Sequence, residues 1–229
     1  MVRILGTLLL VLAMHGHLQA DVVIAAPTGL AVGQQFRIMV VTTGTTQATS
    51  TDISTYNTFV ASDTANTNYT YNGVTVAFSA WGSTATVNAK DNIGWTTGNQ
   101  TNVYRSTGVL ISTAAAFLTA NHAAGVTDVP SNYIWTGTGI DGNRAQELAS
   151  NEPSLGLSGN SNNGWTNVAS AQKSTAYQMY GISGVLTVVP EPGTFILCGM
   201  STTVLAAMMF FRWRREQRER LRLAAVSAE

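Results

Sequence analysis

Cysteine, histidine and charge are all scarce in this chain of 229 residues. Cys198 is the single cysteine, so no disulfide can form within the chain. His122 is the one histidine beyond the first twenty residues, and zinc sites built from cysteine and histidine are therefore excluded by count. Charged residues make up 10% of the sequence, so the surface must be built mainly from Thr, Ser, Asn and Gly.

Basic residues are especially rare in the central part of the chain. Between Asp21 and Val189 there are five basic and eight acidic residues, which gives a formal net charge of −3. A nucleic-acid partner requires a clustered positive face, and the sequence offers none there. Nucleic acid is therefore not expected among the partners of this protein.

An apolar run opens the chain. Ile4–Met14 is apolar and too short to span a bilayer, and the more polar residues that follow end at Ala20. This order is typical of a secretory signal peptide, predicted here over residues 1–20. Cleavage is expected after Ala20, with Ala25 or Ala26 as alternatives, and an uncleaved N-terminal anchor is the other interpretation of the segment.

A second apolar run lies near the other end. Thr194–Phe211 is eighteen residues without a charge, and at helical rise it would be about 27 Å long, close to the roughly 30 Å hydrocarbon core. It contains Cys198, which is interpreted as a small apolar residue of the span. Arg212, Arg214 and Arg215 follow directly, and such a basic cluster stays on the cytoplasmic side. The sequence thus predicts one C-terminal transmembrane helix with everything before it outside the membrane.

A short motif precedes this predicted span: Pro190, Glu191, Pro192 and Gly193. The prolines hold the backbone extended and keep the residues before them out of the helical region. The order of this triplet, an apolar span and an arginine cluster, over residues 190–215, resembles the PEP-CTERM sorting signal of exported bacterial proteins. Residues 216–229 then form a cytoplasmic tail.

The resemblance implies a function for the C-terminal segment. In that family an exosortase, a cysteine-dependent transpeptidase-like membrane enzyme, recognises the signal, and the protein reaches the cell surface or the exopolysaccharide matrix. This chain would be a substrate of that enzyme and of the export machinery. The alternative is an ordinary membrane anchor with a proline-stiffened stalk.

Residues 21–189 are long enough for one exported globular domain. Gln35–Thr42 is β-branched and apolar and predicts a strand, while Ile53, Tyr56 and Val60 predict a helix of about three turns from Thr51, capped by Ser50 or Thr51. Further predictions are a hairpin around Asn72-Gly73 that continues to Trp81, a second helix from Ser112 or Thr113 to Ala124 that buries Phe117 and Leu118, strands at Tyr133–Thr136 and Tyr180–Val189, and a long loop from Asp141 to Ser174.

These elements predict an α+β fold with an antiparallel sheet, two helices and a long loop region. Phe36–Val41 and Ser183–Val188 are expected to pair at its centre, because the ends of a domain often meet. Several landmarks resemble bacterial extracellular domains with a C-type-lectin-like, endostatin-related fold: Ala80-Trp81, Ala89–Asn92, Val103-Tyr104, Trp135–Thr138, Asp141-Gly142, Gly159–Ser161 and Trp165–Asn167. This chain departs from those domains in lacking the cysteines that usually staple them.

The lectin resemblance implies a possible calcium and sugar site. Asp141, Glu152, Trp165 and Asn167 resemble parts of the sugar-site motifs, but Ser154 stands where an asparagine is expected. About half of the six to eight oxygens that calcium prefers are missing, which favours ordinary loop polar groups and no metal. Trp81, Trp95, Trp135 and Trp165 are expected in the core rather than as sugar platforms.

Catalysis has little support in the sequence. No Gly-x-Ser-x-Gly elbow is present, and His122 is interpreted as a partly exposed cation at the end of the second predicted helix. A pair of carboxylates could still converge, although no spacing favours it. The sequence therefore predicts a non-enzymatic surface or matrix protein, with a carbohydrate-binding module for exopolysaccharide or another glycan as the alternative.

Overall fold

The computed structural model describes residues 21–119, 121–127 and 132–190, together with Met209, Phe210, Arg212 and Arg214. The chain divides into two compact units after Val188, and the first contains the globular domain. The predicted signal peptide and nearly all of the predicted span lie outside the described residues. Within the parts of the chain that are described, no helix has both the length and the apolar character needed to cross a membrane.

The domain is mostly sheet with two helices. The described strands are β1 (Val22–Val23), β2 (Gln35–Val41), β3 (Thr46–Gln47), β4 (Tyr69–Tyr71), β5 (Val74–Thr75), β6 (Phe78–Ala80), β7 (Asn102–Tyr104), β8 (Leu110–Ser112), β9 (Tyr133–Trp135), β10 (Ser154–Leu157), β11 (Ala169–Ser170), β12 (Ala176–Ser183) and β13 (Leu186–Thr187). The helices are α1 (Ile53–Thr67) and α2 (Ala89–Asn92). The predicted α+β class is confirmed.

β2 and β12 form the centre of the main sheet, whose path runs β11-β10-β9-β12-β2-β7-β8. β2 pairs antiparallel with β12, with Val41 opposite Tyr180, and antiparallel with β13, with Phe36 opposite Leu186. The predicted pairing of Phe36–Val41 with Ser183–Val188 is confirmed where Phe36 lies opposite Leu186. Met39–Val41 pair instead with Tyr180–Ile182, which precede the predicted range. The sheet is mixed rather than purely antiparallel, because β9 pairs parallel with β12 and β2 pairs parallel with β7.

A small sheet of order β1-β4-β5 lies apart from the main one. Asn72 and Gly73 join β4 to β5 with φ of 51° and 77°, and positive φ at both positions is what a type I′ hairpin turn requires. The predicted hairpin is confirmed, but its second strand is shorter than expected. The chain leaves this sheet after Thr75, because β6 pairs with β12 in the main sheet instead.

α1 begins two residues later than predicted. The Asp52 carboxylate, rather than Ser50 or Thr51, caps the helix by accepting from the Ser54 amide. Tyr56, Val60 and Thr64 recur every fourth residue and form the buried stripe that the sequence spacing indicated. The helix runs for 15 residues, about a turn longer than predicted, and ends at Thr67, after which Asn68 caps it in the left-handed conformation with φ of 48°.

The predicted helix from Ser112 to Ala124 is wrong. Ser112 ends β8, and the alanine-rich residues that follow form turns rather than a helix. Asn102 Oδ1 accepts from the Ala114 amide, and the Ala123 amide donates to Ile111 O, so β7 and β8 hold the two ends of the segment. The hydrogen bonds within it, such as that from the Phe117 amide to Thr113 O, form isolated turns. The second helix is α2, which is only four residues long.

The segment from Asp141 to Ser174 is also more regular than predicted. It contains β10, β11 and a short 3-10 helix, Asn163–Trp165. β10 pairs antiparallel with both β9 and β11 and so extends the main sheet. The last long strand likewise differs from the prediction, because β12 begins at Ala176 and the chain breaks the pairing after Ser183 before β13 resumes it.

The main sheet buries apolar side chains on both of its faces. On the helix face, the alternate residues Phe36, Ile38, Val40, Tyr104, Trp135 and Met179 pack against Tyr56 and Val60 of α1. On the loop face, Met39, Val103, Ile134, Tyr180 and Ile182 pack against Trp81, Trp95, Phe117 and Trp165. Gly181 allows α1 to approach the sheet, because a Cβ at this position would lie 2.9 Å from Val60 Cγ1.

Candidate functional sites

The chain leaves the domain at Val188, just before the predicted sorting motif. The Gly33 amide donates to Val188 O at 2.8 Å, and the Val188 amide donates to Gln34 O at 2.9 Å. Val188 is buried, whereas Val189 and Pro190 are exposed. The regular hydrogen bonding of the domain therefore stops two residues before the Pro-Glu-Pro triplet.

The rest of the sorting signal is described only in part. Glu191, Pro192, Gly193 and Arg215 lie outside the described residues. Arg212 and Arg214 are helical, and the Arg214 guanidinium carbon lies 4.8 Å from the centroid of the Phe210 ring. This contact is short enough for a cation–π interaction within one helical turn.

Asp141 and Glu152, two of the four predicted ligand residues, lie in different surroundings. Asp141 accepts from the amide and side chain of Asn143, and these bonds together with nearby Lys90 lower the pKa of its carboxyl despite partial burial. Glu152 is exposed and lines a cleft of about 350 Å³ together with Lys173. Among the residues the structure describes, no group of three or more Asp, Glu, His or Cys is arranged to hold a metal ion.

Trp165 and Asn167, the other two predicted ligand residues, differ in exposure. Trp165 is 1% exposed and stacks on Trp81, with 5.4 Å between ring centroids and 23° between planes. Asn162 caps the short helix that carries Trp165 by accepting from the Gly164 amide. Asn167 is exposed. Trp165 is thus a core residue that covers the loop face of the sheet, and it is not available as a surface ligand.

His122 is not a helix-terminal cation, which corrects the prediction made from sequence. Its ring lies 4.6 Å from that of Trp165 and 5.9 Å from that of Phe117, measured between centroids. Nε2 lies 3.2 Å from Phe117 O, which requires the hydrogen on Nε2. Burial lowers the pKa of His122 below its usual value and favours the neutral ring.

Arg37 is a buried cation on the loop face, and no sequence pattern indicates its role. Its guanidinium donates to Ile93 O at 2.9 Å and to Ser183 O at 3.0 Å, and it lies over the Trp95 ring. Burial lowers the pKa of Arg37 from its usual value. The side chain ties the segment after α2 to the end of β12 and therefore has a structural role.

Tyr133 is the one exposed large aromatic side chain of the described domain, with 46% of its surface accessible. Its ring meets Tyr177 edge-on at 6.1 Å, and Tyr177 in turn meets buried Trp135 at 5.0 Å. The same-face spacing of Tyr133 and Trp135 in one strand was visible in the sequence, but not that Trp135 is buried while Tyr133 is exposed. A rigidly held, exposed ring can stack on an apolar sugar face.

A second cleft, of about 390 Å³, lies between the start of the domain and the β7–β8 connection. Its lining consists of Ala25, Ala26, Thr28, Tyr104 and residues 107–110. No side chain in this lining carries a charge at neutral pH. The comparisons with known proteins add no identity: no protein-family model matches the sequence, and no curated protein matches it significantly.

Proposed function

We propose that this protein is exported, is held in the membrane by its C-terminal segment, and is released by an exosortase-type enzyme that cuts near Pro190–Gly193. The freed domain then takes an interaction or structural role at the cell surface or in an exopolysaccharide matrix. The proposal assigns the chain no catalytic activity of its own. Its partners are the export machinery, the sorting enzyme and the surface matrix.

The observation that carries this proposal is the position of the end of the fold. Val188 is the last residue bonded into the domain, and Pro190 is exposed. An enzyme can therefore engage the Pro-Glu-Pro segment without breaking a strand. The start of the domain is equally close to the predicted cleavage after Ala20, because β1 begins at Val22 and Ile24 is buried.

The position of β1 supports cleavage after Ala20 over the two alternative sites. Cutting after Ala25 or Ala26 would remove β1 and the buried Ile24 side chain. Mass spectrometry of the mature N-terminus should therefore find Asp21 as the first residue. A mature chain beginning at Ala26 or Pro27 would contradict this assignment.

The sorting step can be tested by changing the motif alone. Glu191→Ala with Pro192→Ala should leave the full-length protein in the membrane of a host that has the sorting enzyme, because recognition of the extended segment is lost. Glu152→Ala is the matched control, since it removes an exposed carboxylate elsewhere and should be processed normally. The measurement is the size and fractionation of the chain. A wild-type tail that stays attached in hosts with and without the enzyme would make this a plain anchor.

Binding to a glycan is the second candidate function, and the exposed Tyr133 ring is the observation that favours it. Tyr133→Ala should abolish binding on a glycan array, whereas Tyr133→Phe should keep most of it, because stacking needs the ring and not the hydroxyl. A chelator should have no effect if stacking dominates. Binding that persists in Tyr133→Ala but is lost with chelator would instead point to Asp141 and Glu152.

A further inference from the structure

Three apolar side chains that the core does not fully cover form a row across three neighbouring strands. Leu157 of β10 lies directly opposite Tyr133 of β9. Ile134 of β9 lies beside Gln178 of β12, so Tyr133 lies beside Tyr177, one residue earlier on each strand. Paired residues share a face of the sheet and adjacent strands are about 4.8 Å apart, so the row is about 10 Å long. Leu157, Tyr133 and Tyr177 are called the tyrosine strip below.

The two tyrosine rings of the strip are held in place by the core. Tyr177 is half-buried, and its ring meets that of buried Trp135 at 5.0 Å with 82° between the planes. Trp135 is itself fixed by the hydrogen bond from its indole N–H to Thr46 O. Tyr133 packs against Tyr177 and still keeps 46% of its surface accessible. A ligand that binds to these rings therefore pays little side-chain entropy, because their positions are set before it arrives.

The strands around the strip carry no charge. β11, β10, β9 and β12 are adjacent in the main sheet, and β3 pairs with β12. All the side chains of these five strands are uncharged. The five basic and eight acidic residues of the domain therefore lie elsewhere, and their net charge of −3 repels an anionic polymer. The surface favours an uncharged partner.

The shape of the strip restricts the partner further. A stable protein interface buries about 800 Å² on each side, whereas this strip consists of three side chains, two of which are half-buried. Neither tyrosine lines the clefts of about 350 and 390 Å³. The strip is therefore open and contacts a ligand from one side only, so it does not enclose the end of a chain. Apolar sugar faces can stack on aromatic rings exposed in this way.

We propose that the tyrosine strip binds the interior of an uncharged polysaccharide chain, with successive sugar units lying across β10, β9 and β12. This inference rests on the proposed glycan binding at Tyr133, and it adds the class of glycan and the extent of the site. Tyr133 stacks on one sugar unit, while Leu157 and Tyr177 contact the units on either side. Each further unit adds a contact and no chain end is required, so affinity increases with chain length.

The partner class can be tested on the full chain in a polyoxyethylene detergent, which has no sugar headgroup to compete. Native gels containing dextran, laminarin, hydroxyethylcellulose or galactomannan supply uncharged polymers, and a gel containing alginate supplies an anionic one. At least one uncharged polymer should retard the protein, and alginate should not. Sugars of one to six units prepared from the retarding polymer are then titrated. The six-unit sugar should bind about tenfold more tightly than the single sugar, because it reaches all three side chains.

Substitutions within the strip test its extent. Tyr133→Ala should abolish binding of every sugar, whereas Leu157→Ala should weaken the six-unit sugar several times more than the single sugar. Leu157→Tyr adds a third ring and should strengthen binding of the six-unit sugar, so the test does not depend on loss of function alone. Val168→Ala is the matched control, because Val168 is also 46% exposed but lies outside the strip, and its binding should equal that of the wild type.

The outcomes separate this inference from the glycan binding on which it rests. Equal affinity for the one-unit and six-unit sugars, lost in Tyr133→Ala, would keep glycan binding and overturn the strip. Retardation by alginate alone would likewise overturn the uncharged partner. No retardation by any polymer, or retardation that Tyr133→Ala does not change, would overturn both. Self-association that Tyr133→Ala removes, measured by analytical ultracentrifugation, would assign the strip to a second copy and overturn the inference.

Discussion

The two faces of the main sheet bury similar side chains by different means. On the helix face, α1 supplies a regular stripe, and the Trp135 indole N–H donates to Thr46 O at 3.0 Å. On the loop face, only loops and short elements cover the sheet, and three indole nitrogens lack a hydrogen-bond partner among the described residues: those of Trp81, Trp95 and Trp165. The helix face is thus defined by the regular spacing of its apolar residues, and the loop face by the packing of aromatic rings from separate loops.

The largest expected loss of stability comes from removing a buried tryptophan ring from either face of the sheet. Trp135→Ala and Trp165→Ala should each lower the free energy of unfolding by about 3 to 5 kcal/mol, because both side chains are almost fully buried and leave a large cavity. Chemical unfolding followed by the remaining tryptophan fluorescence measures both. An unchanged stability in Trp135→Ala would place that ring at the surface. It would contradict the description of the helix face as closely packed.

The phenylalanine versions of these variants sharpen the same comparison. Trp135→Phe also removes the donor to Thr46 O, so it should cost about 1 kcal/mol more than Trp165→Phe, which removes an unpaired donor. The measurement is the difference between the two variants under identical conditions. A larger loss in Trp165→Phe would mean that its indole N–H is paired in solution.

Arg37→Met should have the next largest effect and is confined to the loop face. The change leaves Ile93 O and Ser183 O without their donor, and we expect a loss of about 2 kcal/mol after relief of the buried charge is included. Arg144→Met is the control, because Arg144 is exposed and its loss should change stability little. Equal effects of the two variants would show that burial of the Arg37 guanidinium is unimportant.

Acid should weaken the loop face at a higher pH than the helix face. Burial lowers the pKa of His122 in the folded state, so the unfolded chain binds a proton more readily. Stability should therefore fall as pH drops below 6.5, the ordinary pKa of a histidine, and stop falling once the folded-state pKa is passed. His122→Phe should flatten that part of the profile. A profile unchanged by the substitution would contradict neutral burial of the ring.

The smallest expected effect concerns the cap of α1. Hydrogen bonds from Ser54 lower the pKa of the Asp52 carboxyl. Its contribution to stability is therefore present above 3.8, the ordinary pKa of an aspartate, and is lost as pH falls through the lower folded-state pKa. Asp52→Asn should keep the cap and remove this acid dependence, because an asparagine oxygen still accepts from the Ser54 amide. Retention of the dependence in Asp52→Asn would assign it to another carboxyl.

The sequence predicts the helix face of the sheet better than the loop face. The helix face could be predicted because Ile53, Tyr56 and Val60 repeat at helical spacing and β2 is a continuous β-branched run. The segment after Ser112 could not, because its alanines support a helix by propensity while Phe117 is held in a cluster with Trp95 and Trp165. Propensity describes neighbours in sequence, whereas those contacts join distant loops.

The candidate sites show the same limit. The end of the domain before Pro190 was predicted, because prolines and an apolar run are local signals. Motif resemblance groups Asp141, Glu152, Trp165 and Asn167 as one site. Trp165 is buried, however, and cannot belong to a surface site. Exposure of Tyr133 could not be predicted, because Tyr133 and Trp135 occupy the same face of one strand and only contacts with distant residues, such as that of Trp135 with Thr46 O, distinguish them.

The two-residue strand β13 has a mechanical consequence. Tension on the tail would act first on Val188 and would break its hydrogen bonds to Gly33 and Gln34 one after the other. The next bonds to yield join Thr187 and Leu186 to the start of β2, while the pairing of Tyr180–Ile182 with Met39–Val41 lies beyond Ser183 and is not loaded. Peeling β13 would lengthen the slack chain before the sorting motif and leave the sheet folded. Under tension on the tail, β13 can therefore detach before the pairing of β2 with β12 is disrupted.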